Sequence, residues 1–206
     1  MLTIYGVYRS RASRNIWLAN ELGLPFKHVP IMQLYRLKEP PHAGVVHTKS
    51  PEFLKVNPNG HIPSIDDDGV VLHESLAINL YLAKKHGGPL APRNVTEDGE
   101  MGMWALWAVT EIEPYSLSIA QNGPSEAAVN ALRAPFTVLD KALEKTGFVV
   151  GGRFTVADIN VAEIVRYAQR APQLFEAAPH VKSWLATCQA RPAFQKMWAE
   201  REKEPA

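Results

Sequence analysis

The stretch NPNGHIPSI (residues 57–65) places a proline at the start of an apolar run that predicts a β-strand. Proline is unusual in that position because it donates no hydrogen bond to a neighbouring strand. Either Pro63 lies at the edge of a sheet, or the Ile62–Pro63 peptide bond is cis. A cis bond turns the amide and the carbonyl of Ile62 outward, where they can pair with a peptide-like ligand as an added strand would. The residues alone leave both explanations open.

Alternating strands and helices are predicted on both sides of this stretch. Apolar or alternating runs predict four strands, at residues 2–5, 26–31, 62–65 and 70–72. Apolar residues at helical spacing predict three helices, at residues 16–22, 51–56 and 75–85. The resulting order βαβαββα is typical of a small α/β domain.

The character of the chain changes after the Gly- and Pro-rich residues 87–92, because the later apolar residues follow helical spacing. Five further helices are predicted, at residues 98–121 with a bend at Pro114, 125–145, 156–170, 179–190 and 192–201. Thr155, with Asp158 three residues later, indicates a capping box at the start of one of them. We therefore predict an α/β domain at residues 1–86, a linker at 87–96 and an all-α domain at 97–206.

The composition is that of an ordinary globular protein, with 46% hydrophobic and 21% charged residues in a chain of 206. Lys and Arg total 22 against 21 Asp and Glu, so no net field favours a nucleic acid as main partner. No apolar stretch approaches the ~18 residues of a spanning helix, and no signal-peptide pattern opens the chain, so no membrane partner is expected. The single cysteine, Cys188, permits neither an internal disulfide nor a zinc site, which predicts no metal and a reducing, cytoplasmic location.

Glu74 and Ser75 stand at the predicted start of a helix. Serine at that position is a common N-cap, which is a purely structural role. A helix N-terminus also attracts anions, and Glu74 beside it would hold an ammonium group. The pair therefore also suits the two charges of an amino-acid zwitterion.

Ser10 lies in the loop before the first predicted helix. No GxSxG motif and no His–Asp pairing surrounds it, so it does not resemble the nucleophile of a serine hydrolase. Its hydroxyl remains a credible hydrogen-bond donor to a ligand.

Four features in this order resemble the cytosolic glutathione transferase family over essentially the whole chain. They are the strand, serine loop and helix at the N-terminus, NPNGHIPSI, HESLAINLYL at residues 73–82, and FTVADI at residues 154–159. The resemblance implies a thioredoxin-like domain joined to an α-helical bundle, usually in a homodimer. It also implies an enzyme that uses glutathione as co-substrate and activates its thiol, as a thiolate, for attack on a small hydrophobic electrophile.

The resemblance assigns several residues to the glutathione site. Ile62 becomes the backbone clamp on the cysteinyl part, with Pro63 cis. Glu74 and Ser75 become the γ-glutamyl site. Two further residues, Lys49 and His61, lie where family members place groups near the glycyl carboxylate.

Ser10 falls where the serine-type classes place the hydroxyl that activates the thiol. Its loop looks like a bacterial, theta- or beta-like variant, although the beta class would have a cysteine there and serine-type members carry a nearby proline that this loop lacks. Tyr5, at the end of the first strand, occupies the place of the activating residue in tyrosine-type members. Tyr5 is therefore the alternative activator.

Three residues at helical spacing, Trp107, Glu111 and Tyr115, are expected to line the electrophile pocket between the domains. The alternative is that this aromatic face packs in the core of the helical domain. Two other functions remain open for the same fold. One is a non-catalytic glutathione-binding or regulatory protein, and the other is a glutathione-dependent peroxidase or disulfide reductase, which the lack of a cysteine near Ser10 disfavours.

Overall fold

A computed structural model describes residues 1–37 and 44–205, which form two compact units. The first unit comprises Met1–Leu82 together with the chain from Pro192 onward, and the second comprises Ala83–Arg191. The last helix thus groups with the N-terminal unit and not, as the predicted domain boundary at residue 97 would require, with the other helices. The reason is a packing contact between aromatic side chains, which helical spacing does not reveal.

The first unit is built on a mixed sheet of four short strands in the order β2-β1-β3-β4. The strands are β1 Leu2–Tyr5, β2 Phe26–Val29, β3 Ser64–Asp67 and β4 Val70–His73. Strand β1 is parallel to β2, and the other two pairings are antiparallel. Ile4 faces Ile65 in the register of β1 and β3, and both side chains are fully buried. This confirms the predicted thioredoxin-like arrangement.

Helices flank this sheet within the first unit. They are α1 Ala12–Glu21, the short α2 Pro51–Leu54, the start of α3 Ser75–His86, and a final helix Pro192–Lys203, numbered α10 below. The final helix packs on α1, where the rings of Trp17 and Phe194 meet edge to face with their centroids 5.0 Å apart. Trp17 is fully buried by this contact and its neighbours.

The second unit is helical. Its helices are α4 Val95–Trp107, α5 Glu113–Asn122, α6 Glu126–Glu144, α7 Val156–Val165, α8 Pro172–Glu176 and α9 Pro179–Gln189, which precede α10 in the chain. Every residue of α7 is buried, so this helix forms the centre of the unit. The predicted capping box at its start is confirmed, because the Asp158 carboxylate accepts the amide hydrogen of Thr155 and the Thr155 hydroxyl accepts the amide hydrogen of Asp158.

A π-helical turn at Ala108–Ile112 separates α4 from α5. Here the amide of Glu113 bonds the carbonyl of Ala108, five residues earlier. Pro114 follows directly and has no N–H to complete the usual α-helical bonding, so the chain adopts a wider turn before it. The bend predicted at Pro114 therefore takes the form of this turn.

In the part of the chain that the structure describes, no helix is both long and apolar enough to cross a membrane. Among the same residues, no group of three or more His, Cys, Asp or Glu side chains is arranged to hold a metal ion.

Candidate active site

The register of the sheet brings the predicted glutathione-site segments to one end of its strands. Tyr5 pairs with Ser64, and Ser64 pairs with His73, so these three residues lie side by side at the same end of strands β1, β3 and β4. The residues just beyond them are therefore neighbours: the loop that begins at Gly6, the Ile62–Pro63 segment, and Glu74. A Cβ placed on Gly6 would lie 3.3 Å from the Cβ of Ile62, which shows how closely the first two segments approach.

The Ile62–Pro63 peptide bond is cis. Strand β3, which starts directly after Pro63, is an interior strand paired on both sides, so the explanation of Pro63 as an edge residue is wrong. Among the described residues, neither the amide nor the carbonyl of Ile62 has a hydrogen-bond partner. Both groups are available to an extended ligand backbone.

Asn57 organises the loop that leads to this bond. Its side chain is 1% exposed and donates to the carbonyl of His61 at 2.8 Å and to Oγ of Ser64 at 3.2 Å. Its side-chain oxygen accepts the amide hydrogen of Asn59 at 3.0 Å. Asn57 is a further residue of this loop that the sequence could have indicated, because asparagine before a turn of this kind is a recognised signal for such bonding.

Lys49 and His61 lie beside the same loop. The Nζ of Lys49 donates to the carbonyl of Asn59 at 3.4 Å, and both Lys49 and His61 are exposed. Gly60 permits this approach, because a Cβ there would lie 2.5 Å from the carbonyl oxygen of Thr48 and 2.9 Å from the Nζ of Lys49. The structure thus places Lys49 against the loop that leads to His61 and Ile62.

Glu74 has φ = +72°, a left-handed conformation that is rare for a residue with a side chain. Its carbonyl accepts the amide hydrogen of Ile78, so it occupies the position before the first residue of α3 and its side chain is exposed. Such backbone strain is concentrated at functional sites. The helix begins at Ser75 itself, which is therefore not the N-cap.

Ser75 is held from the interior by two polar side chains of α1. Its hydroxyl oxygen accepts a hydrogen bond from Nη1 of Arg14 at 3.1 Å, and its carbonyl accepts one from Asn15 at 2.8 Å. Asn15 also donates to Asn79 at 2.7 Å. Arg14 is 1% exposed, so a guanidinium charge lies buried next to the Ser75 hydroxyl. These contacts join residues 60 or more positions apart, so no local sequence signal indicates the network.

Ser10 lies in the loop between β1 and α1 and is partly buried. Its hydroxyl donates to the carbonyl of Val7 at 2.6 Å and accepts the amide hydrogen of Ala12 at 3.0 Å. The alternative residue, Tyr5, lies in β1, where burial and then the charge of Asp66 raise the pKa of its phenol. Tyr5 therefore stays protonated well above neutral pH.

Comparisons with known proteins identify the family. A family model described as glutathione S-transferase, N-terminal domain matches residues 4–90, and one described as glutathione S-transferase, C-terminal domain matches residues 110–192. Glutathione S-transferase 3 of Zea mays is 31% identical over 215 residues, which cover 95% of this chain and 92% of that protein. This chain belongs to the glutathione S-transferase family.

Solved structures agree with this result. Glutathione transferase F7 from Populus trichocarpa superposes with a TM-score of 0.81 at 26% identity, over 98% of this chain and 99% of that one. The glutathione transferase URE2P6 from Phanerochaete chrysosporium, solved with oxidized glutathione, gives a TM-score of 0.79 at 27% identity, over 98% and 96%. The protein is thus a glutathione transferase with glutathione as its substrate. The comparisons do not support the theta- or beta-like subclass and indicate a likeness to plant F-type (phi-class) enzymes.

The residues predicted for the transferase's electrophile pocket lie in the helical unit. Trp107 ends α4 and meets Trp104 edge to face at 4.9 Å, while Glu111 and Tyr115 are exposed. Their spacing placed them on one face of a regular α-helix. The π turn lies within that stretch and rotates the residues that follow it, so the spacing does not hold from Glu111 to Tyr115. Their role in the pocket stays a prediction.

Proposed function

We propose that this transferase activates glutathione through a hydrogen bond from Ser10 to the sulfur and holds the tripeptide with Ile62, Glu74 and Ser75. The observation that carries the proposal is the sheet register, which gathers the Ser10 loop, Ile62 and Glu74 at one end of the strands. A tripeptide that lies across this end of the sheet would contact each of them in turn.

The γ-glutamyl end of glutathione carries an ammonium and a carboxylate. The exposed carboxylate of Glu74 suits the ammonium. Ser75 suits the carboxylate, because among the described residues its hydroxyl hydrogen has no acceptor while its oxygen is held by Arg14. The amides at the start of α3 and the buried guanidinium both add positive potential there.

The rest of the tripeptide is held by its backbone and its far end. The amide and carbonyl of Ile62 would pair with the backbone of the cysteinyl residue, as in the addition of a strand. Lys49 and His61 would then lie near the glycyl carboxylate, where the ammonium of Lys49 supplies the opposite charge.

Thiol activation requires little energy beyond what Ser10 and α1 supply. A thiol of pKa about 8.5 must be lowered by roughly 2 units, or about 2.7 kcal/mol, to be mostly thiolate at neutral pH. A hydrogen bond to a charged group contributes ~1.5–3 kcal/mol, and a helix N-terminus adds ~0.3–1 kcal/mol. Ser10 would turn its hydrogen from the carbonyl of Val7 to the sulfur. The thiol proton leaves to solvent, the sulfur lone pair forms the bond to the electrophilic carbon, and the leaving group departs with its electron pair.

Replacement of Ser10 by alanine tests this assignment. Ser10→Ala should raise the pKa of the bound thiol by about 1–2 units, because it removes one charge-assisted hydrogen bond. Titration of the ultraviolet thiolate band measures this pKa, and conjugation of a generic aryl halide at neutral pH should slow accordingly. Glutathione affinity should change much less, since the other contacts remain.

Tyr5→Phe is the matched control, because it removes only the hydroxyl of the alternative donor. It should leave the thiolate titration unchanged. The opposite pattern, with thiolate lost in Tyr5→Phe and kept in Ser10→Ala, would assign the activation to Tyr5.

We also propose the finer properties that the family supports. They are a homodimeric assembly, a cytosolic location, a phi-like rather than theta- or beta-like class, and an electrophile pocket that includes Trp107, Glu111 and Tyr115. Support comes from the plant F-type relatives and, for the pocket, from the exposure of Glu111 and Tyr115.

A further inference from the structure

The end of the chain holds the backbone of the loop that carries Ser10. Glu204, just after α10, accepts the amide hydrogen of Tyr8 on one carboxylate oxygen at 2.8 Å and that of Arg9 on the other at 2.7 Å. Arg201 donates to the carbonyl of Tyr8 at 2.6 Å, and Arg36 donates to the carbonyl of Arg9 at 3.1 Å. The backbone amides and carbonyls of both loop residues are thus occupied by side chains from elsewhere in the unit.

The peptide unit between Val7 and Tyr8 connects Glu204 to Ser10. Its carbonyl accepts the hydrogen of Ser10 Oγ at 2.6 Å, and its N–H is the one that donates to Glu204. A peptide unit is planar, so its carbonyl and its N–H turn together. The Glu204 carboxylate therefore sets the orientation of the carbonyl against which the Ser10 hydroxyl lies.

Glu204 is itself firmly placed. Its backbone carbonyl accepts a hydrogen bond from Nε of Arg9 at 2.8 Å, so the loop and the chain end hold each other in both directions. Near the start of α10, Phe194 packs against Trp17 of α1, and Phe194 is 4% exposed. The contact at the loop therefore extends from a packed helix rather than from a free tail.

We propose that Glu204 is a positioning residue for thiol activation, which acts through the Val7–Tyr8 peptide and touches neither glutathione nor the electrophile. This inference rests on the role proposed above for Ser10. Without the carboxylate, the amides of Tyr8 and Arg9 lose their acceptor, and the loop no longer holds Ser10 Oγ in one place beside the sulfur. The thiolate is then less stabilised, although the groups that bind the tripeptide are unchanged.

Glu204→Ala should raise the pKa of the bound glutathione thiol by about one unit and, through the smaller thiolate fraction, lower kcat/KM for an aryl halide at pH 7 by about threefold. The KM for glutathione should change less than about twofold, because the γ-glutamyl contacts lie at the start of α3. Glu204→Gln keeps one acceptor oxygen and should show an intermediate pKa, and it keeps the test available if the alanine variant does not fold.

Glu202→Gln is the matched control. It removes the same charge two residues earlier in the chain, but the Glu202 carboxylate accepts from Nε1 of Trp198 and not from the loop. It should leave the thiol pKa unchanged.

A double variant separates this inference from the proposed role of Ser10. If Glu204 acts through Ser10, then Glu204→Ala adds no further rise in thiol pKa once Ser10 is alanine. A rise that is equal with and without Ser10, or a lowered Tm with an unchanged thiol pKa, would overturn the positioning role and leave Ser10 untouched. An unchanged thiol pKa in Ser10→Ala alone would instead overturn the role of Ser10.

Discussion

The left-handed backbone of Glu74 concentrates several observations in a single residue. Its side chain is exposed, its carbonyl bonds the first turn of α3, and the next residue contacts the buried Arg14. A side chain in this conformation is strained, so its position is maintained by the surrounding structure. This arrangement presents a carboxylate directly beside the start of a helix, which is the pairing of charges that an amino-acid zwitterion requires.

Glu74→Gln tests the carboxylate at this position. The variant should bind glutathione more weakly by about 1.5–3 kcal/mol, because it loses a charged hydrogen bond to the ammonium group. The Tm without ligand should stay nearly unchanged, since the side chain is exposed. Isothermal titration calorimetry measures the affinity, and Glu52→Gln, an exposed acidic residue of α2, serves as control. Equal affinities for Glu74→Gln and the control would remove Glu74 from the binding site.

At the scale of elements, one ion pair attaches the linker-like residues 87–96 to the helical unit. Arg153 donates to both carboxylate oxygens of Glu97, at 2.9 and 2.8 Å, and also to the carbonyls of Pro89 and Ala91. Glu97 accepts the amide hydrogen of Arg93 as well. The composition of this segment is typical of a linker, yet its carbonyls are tied to the loop before α7.

The pH dependence of stability should report this ion pair. The hydrogen bonds from Arg153, and then that from the Arg93 amide, lower the pKa of Glu97 from 4.5 to about 2. A lowered folded-state pKa stabilises the protein fully above the unfolded value, near pH 4.5, and this contribution is lost as the pH falls toward 2.

Glu97→Gln should therefore lower Tm at pH 7. The Tm difference between the variant and the wild-type protein should shrink below pH 4.5 and vanish near pH 2. Differential scanning fluorimetry across that range measures it. Glu100→Gln, exposed on the same helix, should show no such difference. A Tm difference that stays constant from pH 7 to pH 3 would argue against the ion pair as its source.

For the whole molecule, the proposed homodimer predicts a single species of twice the 22.9 kDa chain mass. Soluble oligomers are most often symmetric dimers, and the family usually forms them. Sedimentation velocity at micromolar concentration, with and without glutathione, measures the mass. A species that remains at 22.9 kDa under both conditions would contradict the proposal.

Local features of the sequence were sufficient to predict the fold of the N-terminal unit and to single out the residues proposed for the glutathione site. The order of strands and helices in that unit is confirmed, and the unusual Pro63 and the Glu74–Ser75 pair are recognisable in the sequence, because each depends on residues close together in the chain. The capping box of Thr155 and Asp158 belongs to the same group, and the structure confirms it. Short-range spacing and turn chemistry carry this information without any knowledge of the fold.

Contacts between distant residues were decided only by the tertiary structure. Strand β3 proved to be interior, which excludes the edge explanation for Pro63, and Arg14 proved to lie buried against Ser75, 61 residues away. Glu204 reaches Tyr8 across 196 residues, so no motif could indicate it. The physical reason is that such contacts depend on the register of the sheet and the packing of helices, which set where distant segments meet, whereas the sequence pattern sets only what each segment becomes.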